Sequence, residues 1–167
     1  GVEIRRAGPA ERDALLSLAD LIWQQHVKGP TWAVKLPEQV VDTHQGWAEL
    51  ADDKTAAVWI AFEHGQPVAA QGYYWAEVAD DNLLTPEKCV HFTVAATREE
   101  ARGRGIGRAL AREVFSHAIA NGQHYANTDW RSTNLLASRV WPHLGFHPAF
   151  NRLVRRIDPR IAWAKGQ

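Results

Sequence analysis

Residues 102–108 read RGRGIGR and separate two stretches of different character. The apolar run from Cys89 to Val94 predicts a buried strand before them, and the apolar spacing from Ile106 to Asn121 predicts a helix after them. A glycine-rich turn that opens a helix suits an anion, because glycine lets backbone N–H groups approach a ligand and the helix dipole is positive there. Five arginines between residues 98 and 112 favour a phosphate-bearing ligand.

The spacing of these glycines excludes two common phosphate-binding motifs. A P-loop needs a lysine followed by serine or threonine after its last glycine, and no such pair follows. A dinucleotide-binding turn needs a third glycine where Arg108 stands. The remaining pattern is R-x-x-G-x-G, from Arg102 to Gly107. The residues alone leave two interpretations open, a ligand-binding turn and a turn that only caps an ordinary helix.

This pattern resembles the acyl-CoA signature of the GNAT superfamily of N-acetyltransferases. A second motif is similar to the one that closes the family's domain: Asn134 opens a predicted helix, and Leu144-Gly145-Phe146 end it. Two motifs in this order and at this spacing extend the resemblance from about Val2 to Ile157.

The resemblance implies an α/β (mixed α+β) fold, in which a central mixed and mostly antiparallel sheet has splayed central strands and helices on both faces. A chain of 167 residues suits one such domain, and residues 1–167 are expected to form it. Hydrophobic periodicity predicts further strands at 2–6, 57–62, 67–78, 125–130 and 149–157, and helices at 11–26, from 37 to about 50, and at 134–144.

Composition limits the partners and the compartment. Acidic and basic residues balance at 19 each, so no overall field favours nucleic acid or an anionic membrane. No apolar stretch comes close to the length of a membrane span, which is about 18 residues. The lone Cys89 cannot form an internal disulfide and is expected to be a buried thiol in the cytoplasm. No metal site is predicted, and a homodimer is compatible with the pattern.

By the same resemblance, acetyl-CoA is the expected cosubstrate and an amine the acceptor. The pantetheine arm should pair with the backbone of Phe92, Thr93 and Val94 like an added strand. Asn134 should add a side-chain hydrogen bond. The link between Val94 and Arg102 holds about three residues more than is usual in the family, with Thr97 to Glu100 as the excess, and a bulge or a helical extension would absorb them. The pyrophosphate should lie on the amides of Arg102, Gly103, Arg104, Gly105, Ile106, Gly107 and Arg108.

Two residues are candidates for the base that takes a proton from the amine. Asp129 lies five residues before Asn134, where some family members carry a glutamate base; the alternative is that it orients the turn after it. His91 is the second candidate. Its position relative to Val94 in an alternating strand directs it away from the groove unless the strand is bulged.

Aromatic residues are expected to shape the acceptor site. Trp141 stands where many family members have a tyrosine that protonates the departing thiolate, and an indole lacks a proton acidic enough for that role. Trp141 is therefore expected to wall off the thioester. Trp32, in a loop, and Tyr74, in an aromatic-rich strand, are expected to contact the acceptor.

The predicted function is acetyl transfer to an amine of a small molecule, an amino acid or a polypeptide. An α-amino group, with a pKa of about 8, is the easier acceptor because a lysine-like amine near 10.4 is harder to deprotonate. Trp141 and the long link before Arg102 motivate a first alternative, a non-catalytic acyl-CoA-binding domain. The absence of a starting methionine motivates a second, one half of a tandem protein.

Overall fold

The computed structural model describes residues 1–76, 85–153 and 160. The predicted connection at 79–82, the end of the predicted strand 67–78 and most of the predicted strand 149–157 lie outside these residues, while 149–153 have no regular secondary structure. The elements, in chain order, are β1 Val2–Arg6, α1 Arg12–Leu16, α2 Leu21–His26, α3 Pro37–Glu49, β2 Ala56–Glu63, β3 Gln66–Trp75, β4 Cys89–Thr97, α4 Ile106–Ala120, β5 Tyr125–Asn127 and α5 Leu135–His143.

The five described strands form one sheet in the order β1-β2-β3-β4-β5. Neighbouring strands are antiparallel except β4 and β5, which are parallel. These two pair only where Cys89–His91 faces Tyr125–Asn127, although β4 continues to Thr97. Beyond that point the Thr128 hydroxyl donates to the Phe92 carbonyl at 3.0 Å, where a backbone group would continue the ladder. The predicted mixed sheet with splayed central strands is confirmed.

Helices cover both faces of the sheet, as predicted. On one face, α4 and α5 bury Leu110, Val114 and Trp141 against the strands. On the other, α1, the turn after it and α3 bury Leu15, Leu18 and Trp47. Helix α1 has only five residues and is too short to be stable alone. The complete burial of Leu15, worth about 1.5–3 kcal/mol, helps to hold it in place.

The prediction of one continuous helix from Glu11 to His26 was wrong. Turns at residues 17–20 separate α1 from α2. Ser17 donates its hydroxyl to the Ala14 carbonyl at 2.8 Å, and such a local bond competes with the helical ladder. Leu18 and Ala19, in the turn, are fully buried, so packing also fixes the break.

The predicted end of the central strand at Val94 was also wrong, because β4 continues to Thr97. The residues counted as an excess before Arg102 form this extension and a short 3-10 turn at Glu99–Ala101. The strand is bulged as well: Gly72 pairs with Val94 and Tyr73 with Phe92, which leaves Thr93 without a partner on β3. The predicted strand 125–130 is shorter than expected and ends at Asn127.

Candidate active site

A groove borders the part of β4 that β5 does not pair, and its cavity measures about 460 Å³. Residues 95–97 of β4 line it, together with much of the turn 101–108. Leu21, Ile22 and Gln25 of α2 and Leu136, Ala137, Val140 and Trp141 of α5 provide its other walls. A second cavity, of about 380 Å³, lies near Glu11 and Arg98, and none of the predicted site residues lines it.

The glycine turn gives the groove an open floor at the start of α4. Gly103 and Gly105 have φ angles of 72° and 79°, in the left-handed region that side chains disfavour. A Cβ built on Gly103, Gly105 or Gly107 would meet no heavy atom of the described residues within 4 Å. Gly105 is the N-cap of α4, so the first N–H groups of the helix lack intrahelical partners. The positive end of the helix dipole and unpaired backbone donors therefore lie at a turn whose glycines are uncrowded.

The arginines of the turn divide into two groups. Arg102 and Arg108 line the groove. The Arg104 guanidinium instead pairs with both carboxylate oxygens of Glu63, at the end of β2, and this pairing lowers the pKa of Glu63. The contact predicted for Arg104, through its backbone amide, stays a prediction, and Arg104 does not line the groove.

Two basic residues of α5 were missed in the sequence. Arg139 and His143 line the groove together with the glycine turn. The His143 Nδ1 atom lies 2.6 Å from the Arg139 carbonyl, one helical turn away. Because residues four apart in a helix lie on the same face, the spacing of Arg139 and His143 in the helix that Asn134 opens was the signal that could have indicated both.

The groove is lined by Ala95, Ala96 and Thr97, three residues later than the expected Phe92–Val94. Phe92 and Val94 are buried in the cores on opposite faces of the sheet, and Thr93 is the exposed bulge residue. The register shift follows from the longer β4. The small side chains of Ala95 and Ala96 leave room for a ligand and were the signal that pointed to them.

Asn134 lines the groove and has two hydrogen-bond partners. Its Oδ1 accepts from the Ala137 N–H at 3.2 Å, which makes it the N-cap of α5. Its Nδ2 donates to His26 Nε2 at 3.2 Å and so connects α5 to the end of α2. Burial, with smaller effects of Arg131 and Lys35, lowers the pKa of His26. A neutral His26 suits this bond, because the ring nitrogen must accept.

His91 lies at the last paired position before β4 and β5 separate. The bulge at Thr93 alters the alternation, so His91 lies on the same face of the sheet as Val94, opposite Phe92. Its Nδ1 is 2.7 Å from Asn127 Oδ1, and the Asn127 amide nitrogen donates to the Thr85 hydroxyl at 3.2 Å. With the amide so oriented, Nδ1 carries the proton and Nε2 is left with a lone pair.

The other predicted residues, Tyr74, Asp129 and Trp32, do not line the groove, and neither does His91. Tyr74 is the cross-strand partner of His91, and burial, with Asp53 and Glu49, raises its pKa. Asp129 is exposed and has no hydrogen bond or ion pair within the described part of the chain. Trp32 is 73% exposed in the loop after α2.

The remaining aromatic residue, Trp141, belongs to both the groove and the core. It is 7% exposed, lines the groove and stacks edge-on against Phe92 and Phe146. Next to Trp32, the Thr31 hydroxyl meets that of Thr133 at 3.1 Å, which ties the loop after α2 to the start of α5. Cys89 is buried, as predicted, and burial raises the pKa of its thiol.

Residues 15–146 match the acetyltransferase (GNAT) family, and the chain belongs to that family. The family and its class, acetyl-CoA-dependent acyltransferases, are those predicted from the two motifs. No helix in the described ranges is long and apolar enough to cross a membrane. Nor do those ranges contain a cluster of three or more potential metal-binding side chains.

Individual relatives are more distant. A mycothiol acetyltransferase from Gordonia bronchialis is 27% identical over 109 residues, which are 60% of this chain and 33% of that protein. The chain thus spans about a third of the length of this curated relative. Two solved structures share the fold. The aminoglycoside N-acetyltransferase AAC(6')-Iy with CoA has a TM-score of 0.72 at 17% identity, over 93% of this chain and 94% of that one. A predicted acetyltransferase with acetyl-CoA from Clostridium acetobutylicum has a TM-score of 0.72 at 14% identity, over 94% of this chain and 97% of that one.

Proposed function

We propose that the protein transfers an acetyl group from acetyl-CoA to a primary amine of a small molecule, an amino acid or a polypeptide. The observation that carries this proposal is a single groove that joins the glycine turn to the part of β4, Ala95–Thr97, that β5 does not pair. The turn offers donors for a pyrophosphate, and His91, which lies earlier on the same strand and does not line the groove, would offer a base. When bound, acetyl-CoA supplies the activated acetyl thioester.

The residues of the groove suit acetyl-CoA in their order along it. The turn from Gly103 to Arg108 is uncrowded at its glycines, and the unpaired N–H groups at the start of α4 suit a pyrophosphate. The edge of β4 at Ala95 and Ala96, which β5 does not pair, offers backbone groups to the amides of a pantetheine arm, whereas the Thr97 carbonyl already accepts from Arg102 Nε at 3.2 Å. Apolar side chains of α2 and α5 on either side exclude water from the arm.

His91 is the base that the geometry favours. Asn127 holds its Nδ1 proton, so Nε2 can take a proton from the ammonium form of the acceptor, directly or through one water. The amine then has the lone pair that attack on a carbonyl requires. Asp129 remains the alternative base, and its exposed carboxylate has no partner in the described chain that would orient it.

Aromatic residues support a small, cationic acceptor. Tyr74 extends from the strand position beside His91, and Trp32 presents its ring to solvent next to the start of α5. A tryptophan face attracts an ammonium group by a cation–π interaction. The names of two relatives, an aminoglycoside and a mycothiol acetyltransferase, also favour a small molecule. A cytoplasmic location fits the buried free thiol of Cys89.

The deciding experiment measures thiol release from acetyl-CoA with a panel of aminoglycosides, amino acids and peptides. We expect release that depends on one class of amine and that falls in a His91→Gln variant. Tight CoA binding without release for any amine would instead support the non-catalytic binding domain. The tandem arrangement and the homodimer stay predictions, which the mass of the native gene product and of the assembled protein test separately.

A further inference from the structure

Gln71 is a buried amide without a complete set of partners. It is 4% exposed, and its Oε1 has no hydrogen-bond partner in the described structure. Thr85, the other buried polar residue described, is bonded to Asn127. A buried acceptor without a partner destabilises a fold, so such groups are rare and call for a physical reason.

The position of Gln71 supplies a reason. It lies in the middle of β3, paired with Trp59 on one side and Ala95 on the other, and it lines the groove. Ala95 separates it from the free edge of β4 and has only a methyl side chain, which a glutamine is long enough to reach across. The last torsion of a glutamine side chain has a broad preference, so a small rotation within it can turn Oε1 toward the groove.

We infer that Gln71 is a cofactor-binding residue whose side-chain oxygen accepts a hydrogen bond from an amide N–H of the pantetheine arm. This inference rests on the proposed function, because it assumes that acetyl-CoA occupies the groove. The arm carries two secondary amides, and a buried acceptor beside Ala95 and Thr97 lies along its expected path. Backbone groups of β4 and the amide of Gln71 then contact the arm together, and Gln71 gains its partner only in the complex.

The test compares Gln71→Met and Gln71→Leu with Gln66→Met, a control on the same strand that is exposed and outside the groove. Calorimetry measures the binding of CoA and of adenosine 3′,5′-bisphosphate, which lacks the arm. We expect both Gln71 variants to bind CoA about tenfold more weakly, the loss of about one hydrogen bond, and to bind the nucleotide like the wild type. Without ligand, their melting temperature should equal or exceed that of the wild type.

Each other outcome has a distinct meaning. Wild-type protein that does not bind CoA overturns the proposed function and this inference with it. Normal CoA binding by the folded Gln71 variants overturns the inference alone. A lower melting temperature, or failure to fold, in both variants means that the amide supports the fold, which also overturns it. CoA analogues in which one amide is replaced by an ester complete a double-mutant cycle between protein and ligand. One of these analogues should bind the wild type more weakly than CoA does, and the same replacement should weaken binding to Gln71→Met by less.

Discussion

The Nδ1 atom of His91 lies 2.7 Å from the side-chain oxygen of Asn127, across the last paired position of β4 and β5. One residue further along each strand, the Thr128 hydroxyl meets the Phe92 carbonyl, and the strands separate. The hydrogen-bonded pair therefore lies at the point where the two strands separate, although neither residue lines the groove. The orientation of the His91 ring, and with it the direction of the Nε2 lone pair, depends on Asn127.

We predict that His91→Gln lowers the turnover number at pH 7 by about 10²-fold and leaves CoA affinity unchanged, because the variant keeps a polar side chain but cannot act as a base. The loss should shrink as the pH approaches the pKa of the acceptor, where free amine forms without help. Steady-state kinetics between pH 6.5 and 9 measure both effects. Asn127→Leu should lower the turnover number about tenfold, because His91 remains as the base but Asn127 no longer orients its ring.

Asp129→Asn is the matched comparison for this prediction. A side chain that only faces solvent should give a rate within a few fold of the wild type. A 10²-fold loss in Asp129→Asn, together with an active His91→Gln, would transfer the role to Asp129. Losses that stay constant with pH in either variant would mean that the residue positions the acceptor and takes no proton.

The glycine turn and α4 could be predicted from sequence because their constraints are local. Positive φ angles at Gly103 and Gly105, the start of a helix and its apolar spacing are properties of neighbouring residues. The motif around Asn134 is local in the same way, since its side chain caps the helix that it opens.

The register of β4 could not be predicted, because it depends on distant parts of the chain. The bulge at Thr93 is set by pairing with β3, and the strand ends at Thr97, where pairing with β3 also ends. The partner of Arg104 is Glu63, 41 residues earlier, so nothing near the turn indicates which arginine faces away. The break between α1 and α2 depends on the burial of Leu18 and Ala19 under the sheet.

Gly105→Val should weaken CoA binding by about 2 kcal/mol or more, because a branched side chain strains the left-handed backbone and fills the space over the turn. Gly122→Val is its control: φ at Gly122 is 73°, its Cβ would also meet open space among the described residues, and it lies at the other end of α4. Both variants should lose stability, but only Gly105→Val should lose CoA affinity in a calorimetric titration. Equal affinity losses would contradict a role for the turn in binding.

Two variants of Asn134 distinguish its role as a helix cap from a role in ligand contact. Asn134→Ala removes the bond to the Ala137 N–H and should lower the free energy of unfolding by about 1 kcal/mol. Asn134→Asp keeps the capping oxygen and loses only the donor to His26. If Asn134 also contacts CoA through its amide nitrogen, both variants should bind CoA more weakly, while only the alanine variant melts earlier. Urea denaturation and calorimetry on the same samples distinguish the two roles.

His117 makes stability depend on pH in a predictable direction. Its Nδ1 lies 2.7 Å from the Tyr73 hydroxyl, Arg6 donates to its Nε2 at 3.2 Å, and burial, with Arg6, lowers its pKa below 6.5. The unfolded chain, with a pKa near 6.5, then binds more protons, so the free energy of unfolding falls as the pH drops through about 6.5 and levels off below the folded pKa. The lowered pKa of His26 acts in the same direction.

Urea denaturation at pH 7.5 and 5.5 measures this dependence, and His117→Gln should reduce it. The lowered pKa values of Asp20 and Glu63 act only in more acidic solution, because their ordinary values are 3.8 and 4.5. The change in the free energy of unfolding between pH 7.5 and 5.5 is therefore attributed to the histidines. If the free energy of unfolding changes by the same amount between the two pH values in the wild type and in His117→Gln, the prediction is contradicted.

The basic residues of the groove should differ in their effects on CoA binding, although sequence alone treats them alike. Arg104→Gln should leave CoA affinity near that of the wild type, because its guanidinium is bound to Glu63. Arg108→Gln in α4 and Arg139→Gln in α5 should each weaken binding several-fold, and the loss should diminish at high salt because exposed charges are screened. Calorimetry at about 50 mM and 500 mM salt measures the difference. A larger loss in Arg104→Gln than in Arg139→Gln would mean that the ion pair with Glu63 opens when CoA binds.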